Sequence, residues 1–157
     1  MQERARRADV FALTWIAYAS YYLCRKQLAV TKAALAEQLH LSLGTLGAID
    51  TGYLVAYAAG QFASGMICDV IGPRRLVGWG MLACGAATVA FGLGSTGNVF
   101  AVSFALNGLF QSTGWPGNVK AMSAWLEPSE RGRVMGWWST CYQMGGLVAT
   151  AVATRLL

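Results

Sequence analysis

Between Arg75 and Lys120 the chain runs 44 residues, Leu76 to Val119, without a charged side chain. About 20 helical residues cross a hydrocarbon core of about 30 Å, so a stretch of this length must hold two crossings. The turn-forming cluster Gly94-Ser95-Thr96-Gly97-Asn98 near its middle separates them. Three more uncharged stretches flank it, Val10 to Cys24, Thr51 to Cys68 and Val134 to Thr154, of 15, 18 and 21 residues. The first is short alone, but Gln27 to Val30 continues it past Arg25 and Lys26, so this helix carries two cations inside the membrane. The reading is an all-α membrane protein with five transmembrane helices at about 10–31, 46–68, 75–94, 98–125 and 133–157, behind an N-terminal segment 1–9.

Composition agrees. Charged residues are 12% of the chain, half the roughly 25% of a soluble domain. With 19 glycines and 18 aromatic residues (6 Trp, 6 Tyr, 6 Phe), the sequence mixes bulk and smallness as helices packed in lipid do. The net charge of +5 does not point to nucleic acid, because the arginines are spread in pairs rather than gathered in a stripe. Cys24, Cys68, Cys84 and Cys141 lack metal-ligand spacing and read as small hydrophobes, and His40 is the only histidine, read as a loop residue. Nothing in the chain supplies a metal cage, a catalytic triad or a cofactor motif, and no enzymatic activity is expected.

Basic residues set the orientation. Arg4, Arg6, Arg7, Arg74, Arg75, Arg131 and Arg133 fall on one side of the five spans and only Lys32 and Arg155 on the other. The positive-inside rule therefore places the N-terminus in the cytoplasm and Leu157 at the far face. A signal peptide is the competing reading of the first 20 residues, but Trp15 and Tyr18 sit poorly in its apolar region.

Arg25 is the most informative residue. At 1.5 Å per residue it stands about 22 Å along the helix from Val10, far from both headgroup layers, where an arginine costs at least about 2.5 kcal/mol and usually marks function. Its planar fork matches phosphate or carboxylate, and Lys26, about 100° around the helix, adds a point charge. A structural ion pair is the alternative, with Asp50 and Asp69 as the nearest acids. Trp15, Tyr18 and Tyr22 share the Arg25 face, Tyr53, Tyr57 and Gln61 form an i, i+4, i+8 stripe, and Trp138 and Tyr142 form another i, i+4 pair. Pro116 is expected to kink the fourth helix below the site, and Gly52, Gly60, Gly65, Gly114, Gly117, Gly145 and Gly146 are read as close helix contacts.

Three segments carry a family resemblance: Gly65-Met-Ile-Cys-Asp69-Val-Ile-Gly72-Pro-Arg74-Arg75, Tyr21-Tyr-Leu-Cys-Arg25-Lys26, and Asn107-Gly-Leu-Phe-Gln-Ser-Thr-Gly114-Trp115-Pro116 running on to Glu130-Arg131-Gly132. The first resembles the loop between helices two and three of the major facilitator superfamily, departing from it at Val70, where that family prefers a basic residue. Together they resemble its organophosphate:phosphate antiporters, the group of the glycerol-3-phosphate and hexose-phosphate transporters. The resemblance implies a twelve-helix protein of two six-helix halves, each of inverted three-helix repeats, with this chain as helices one to five of an incomplete N-terminal half. Its partners would then be the lipid bilayer of the cell inner membrane, the missing C-terminal half, a small phosphorylated anion and inorganic phosphate.

The resemblance also implies site roles: phosphate binding for Arg25 with Lys26 beside it, and substrate contact for Tyr18, Tyr22, Tyr57, Trp115 and Trp138. Gln61 and Tyr142 stand where glycerol-3-phosphate transporters have a lysine and a histidine, so the substrate and its proton sensitivity stay open. Gly65, Asp69, Gly72, Arg74, Arg75 and Lys120 make up a gating motif in which Asp69 and Lys120 either pair or each meet water. Besides a carrier, a sugar-phosphate sensor of the same fold and a nonfunctional truncated product fit the same residues.

Overall fold

The computed structural model describes the backbone of residues 2–156 and the side chains of residues 5–155; the side chain of Arg4 and the whole of Leu157 lie outside the described residues. Every regular element among them is helical: α1 (Gln2–Arg25), α2 (Gln27–Gln38), α3 (Leu43–Ile71), α4 (Pro73–Gly92), α5 (Gly97–Gln111), α6 (Gly114–Ser123), α7 (Arg131–Trp138) and α8 (Thr140–Leu156). They compose five spans, α1 with α2, α3, α4, α5 with α6, and α7 with α8.

Among the described residues only α3 and α4 are unbroken and apolar enough to cross a membrane by length and composition, with mean hydropathies of 1.4 and 1.3. The other three spans are divided. The first divides at Lys26, yet the hydrogen bonds Lys26 N to Tyr22 O (3.3 Å) and Val30 N to Lys26 O (3.1 Å) carry the ladder across. The fourth divides at Ser112-Thr113. Pro116 has no N–H to offer the Ser112 carbonyl and its ring crowds that oxygen, so the expected kink falls one turn before the proline, level with the site rather than below it. The fifth divides at Ser139, whose hydroxyl bonds back to Met135 O at 2.8 Å.

The termini of the elements differ from the sequence reading for local reasons. Helix α1 starts at Gln2 rather than near 10, because Gln, Glu, Arg and Ala in its first two turns are good helix formers, and the same composition carries α2 to Gln38. Ser42 accepts from Thr45 N at 3.0 Å and starts α3 at Leu43, and Thr96 accepts from Val99 N at 3.4 Å and starts α5 at Gly97. Between α3 and α4, Gly72 sits at φ +81°, a left-handed conformation open to glycine, and Pro73 opens the next helix.

In the bundle α3 lies along α5, α4 along α5 and α6, and α1 along α6 and α8. Polar side chains share a mostly apolar interior, with Asn107, Gln111, Ser112 and Asn118 buried beside Leu28, Leu46 and Phe91, while Phe62, Leu54, Trp79, Leu82 and Leu93 stand more than half exposed on the outside. Three ion pairs among the described residues mark the two ends. Arg7 meets Glu130 at 2.8 Å at the end that also carries Asp69 with Lys120, and Lys32 meets Asp50 at the other.

Of the glycines read as helix contacts, Gly60, Gly114, Gly117 and Gly145 are that: a Cβ on Gly145 would stand 2.6 Å from the Ala19 carbonyl oxygen. Gly146 is in ordinary contact with Tyr22. Gly52 and Gly65 are not contacts, since a Cβ on either meets nothing within 4 Å. Gly108, not among those glycines, makes a close crossing with the backbone of α3, where a Cβ would stand 2.5 Å from Tyr53 O.

Candidate anion site

Helix α1 delivers Arg25 in its last turn, where the ladder bends at Lys26, and α3 delivers Tyr53 and Tyr57 one turn apart on the facing stripe. The guanidinium donates from Nε to Tyr53 Oη at 2.8 Å and from Nη1 to Tyr22 Oη at 3.3 Å. Its Cζ lies 5.1, 5.9 and 4.8 Å from the ring centres of Tyr22, Tyr53 and Tyr57, within cation–π range of all three. Tyr53 and Tyr57 stack on each other with centroids 6.2 Å apart.

No carboxylate pairs with Arg25 among the described residues: Asp50 is held by Lys32 and Asp69 by Lys120. The structural ion pair weighed as the alternative is thus absent there. Neutral hydroxyls and ring faces orient the guanidinium without cancelling its charge, which leaves an unneutralised cation half-buried at mid-span.

Tyr18 joins this cluster to a second aromatic group. Its ring centre is 6.1 Å from Tyr22, 5.5 Å from Trp115 and 5.6 Å from Trp138, and the two tryptophans lie 5.7 Å apart. Trp138 is fully buried and donates through Nε1 to Thr14 Oγ1 at 3.0 Å. The structure thereby brings together Arg25, Tyr18, Tyr22, Tyr57, Trp115 and Trp138. Lys26 faces the fifth span instead, its Cε 4.0 Å from the Cβ position of Gly146. Tyr142 packs against the inner aromatic core, separated from Trp138 by the break at Ser139, and Gln61 is half-buried one turn beyond Tyr57. Trp15 turns to α8 and donates to Thr140 Oγ1 at 3.0 Å.

Tyr53, Gln111 and Asn107 are absent from the expected site, yet Tyr53 makes the shortest bond to Arg25 and is itself bonded to Gln111. The signal was present in Asn107 and Gln111: two amides four residues apart inside an uncharged span are costly in lipid and require partners. At the far end of α3, Asp69 and Lys120 are paired, Arg74 and Arg75 are exposed, and Gly72 forms the turn.

Comparison with known proteins places the chain in a family. The chain is 31% identical to the glucose-6-phosphate exchanger SLC37A1 of Mus musculus over 94% of its own length and 36% of that protein. It is 33% identical to putative glycerol-3-phosphate transporter 3 of Arabidopsis thaliana, over 96% of this chain and 34% of that protein. A probable hexose phosphate transport protein of Chlamydia trachomatis is 31% identical over 94% of this chain and 33% of its own length. The chain therefore spans about a third of the length of these relatives, which are named as transporters and exchangers and not as enzymes. The family model of the Major Facilitator Superfamily matches residues 11–157, and the chain belongs to that superfamily of multi-pass membrane proteins.

Proposed function

We propose that these five spans form the anion-binding part of a secondary transporter of the relatives' length, which exchanges a phosphorylated organic anion, a sugar phosphate or glycerol 3-phosphate, for inorganic phosphate by alternating access. The observation that carries the reading is the uncompensated Arg25 guanidinium, held at mid-span by tyrosine hydroxyls and ring faces with donors left over. An arginine so placed gains a counter-charge only when an anion arrives, and its fork suits two oxygens of one phosphate. The same fork accepts organophosphate and phosphate in turn, as an exchanger requires.

Around that anchor, Tyr18, Tyr22 and Tyr57 supply hydroxyls and Trp115 an apolar wall backed by the buried Trp138, with Lys26, Gln61 and Tyr142 as further contacts. Asp69 with Lys120, and the Gly65–Arg75 segment, act as the gate at the end that carries most of the arginines. The N-terminus is cytoplasmic and the membrane is the cell inner membrane. Names of the relatives support a phosphorylated cargo.

The test is Arg25→Lys in the full-length carrier, assayed by labelled phosphate exchange in vesicles. Lysine keeps the charge and loses the fork, so exchange should fall at least about tenfold while insertion is unchanged. Normal exchange would remove Arg25 from the site.

A further inference from the structure

Gln111 is buried at the end of α5 and uses both hydrogens of its amide. Nε2 donates to the Tyr21 carbonyl oxygen at 3.2 Å and to Asn107 Oδ1 at 3.0 Å. A backbone carbonyl only accepts, so the Tyr21 contact fixes which end of the amide is nitrogen. Oε1 therefore faces Tyr53, and across their 3.2 Å contact the tyrosine hydroxyl must donate. With its hydrogen committed there, Tyr53 Oη turns a lone pair toward Arg25 and accepts from Nε.

The amide beneath is fixed in the same way. Asn107 Nδ2 donates to Thr88 Oγ1 at 2.9 Å and to the Cys84 carbonyl oxygen at 3.5 Å, while the Thr88 hydroxyl donates to that same carbonyl at 3.0 Å. A one-way line of donated hydrogen bonds thus crosses four spans, from the guanidinium of α1 through α3 and α5 to the Cys84 carbonyl of α4. Asn107, Gln111 and Tyr53 are each at least nine-tenths buried, so water does not compete for these bonds.

The line decides which edge of Arg25 is free. Tyr53 occupies the Nε edge and Tyr22 one hydrogen of Nη1, so the donors that remain lie on the Nη end of the fork. We propose that Gln111 is a positioning residue for anion recognition: acting through Tyr53, it clamps the Nε edge of Arg25 so that the Nη end meets two oxygens of a phosphate group. This rests on the reading of Arg25 as the anion anchor.

The experiment is exchange of labelled inorganic phosphate in vesicles by the full-length carrier, with KM and maximal rate measured separately. Gln111→Met keeps length and volume but offers the Tyr53 hydroxyl only a weak thioether acceptor, and Tyr53→Phe removes the link itself. Each should raise the KM for phosphate about tenfold, with the maximal rate within about twofold. The double variant should be no worse than Tyr53→Phe alone, because Gln111 acts only through that hydroxyl. A Gln111 that merely packs the bundle would add its effect in the Tyr53→Phe background, and that additivity overturns the proposal. So does an unchanged KM in Tyr53→Phe, which decides the matter even if Gln111→Met does not accumulate. Arg25→Ala separates the two readings: wild-type KM in Arg25→Ala sinks the anchor, whereas loss of exchange there beside normal KM in both other variants sinks the clamp alone.

Discussion

The side chain beside Arg25 and Lys26 presents a contrast with theirs. Gln27 has both amide atoms buried without a hydrogen-bond partner among the described residues, although Arg25 two positions earlier is fully oriented. A buried unsatisfied amide costs about 1–3 kcal/mol, so Gln27→Leu should leave stability unchanged or raise it, read as the unfolding temperature in detergent. A marked fall would mean that Gln27 meets a partner in the folded protein. At this scale Arg25 was legible because a charge in an apolar stretch announces itself, and Tyr22 and Tyr57 because helical spacing sets a face. Tyr53 was legible as part of a stripe but not as the arginine's acceptor, since spacing within one helix does not say which of three tyrosines the neighbouring helix reaches. Gln111 needed three other spans in place before its role had any meaning.

Among the elements, the five spans follow from counting uncharged residues, and the three breaks within them mostly do not. Only the fourth carries a proline to announce its bend; the break at Ser139 goes with a back-bonded hydroxyl, and the one at Lys26 has no such mark in the sequence. Glycines show the same limit, because smallness is visible in sequence and the neighbour is not. Gly108 and Gly52 separate the two cases. Gly108→Ala would drive a methyl against the Tyr53 backbone of the facing helix, where no side chain can give way, and should cost about 1–3 kcal/mol. Gly52→Ala enters open space inside α3 and should gain up to about 1 kcal/mol from helix propensity. Thermal unfolding of the two variants side by side checks both signs; equal shifts would mean that α3 and α5 do not cross as described.

For the whole molecule, the proposed gate is a matter of charges at one end. Asp69 and Lys120 tie α3 to α6 while largely exposed, and an exposed pair contributes little to stability. In the proposed gate its use lies in exchange between access states. Asp69→Lys and Lys120→Asp should each depress phosphate exchange severalfold, and the two together should restore much of it. A double reversal as poor as either single one would leave the pair without a role in transport.

The seam between the first and fifth spans has a consequence for how the protein is made. Thr14 receives its bond from Trp138, 124 residues later in the chain. At a synthesis rate of about 5–20 residues per second, the first span waits roughly 6–25 s beside the ribosome's insertion machinery before the helix that seals it is complete. Until the second span follows, Arg25 sits in a helix without the Tyr53 and Tyr57 stripe opposite it. Its companions arrive on a schedule: Tyr22, three residues earlier, is present from the start, and Tyr53 comes 28 residues later with the second span. On that schedule Tyr22 is the one aromatic partner at hand while the first span inserts, and Tyr53 joins it with the second.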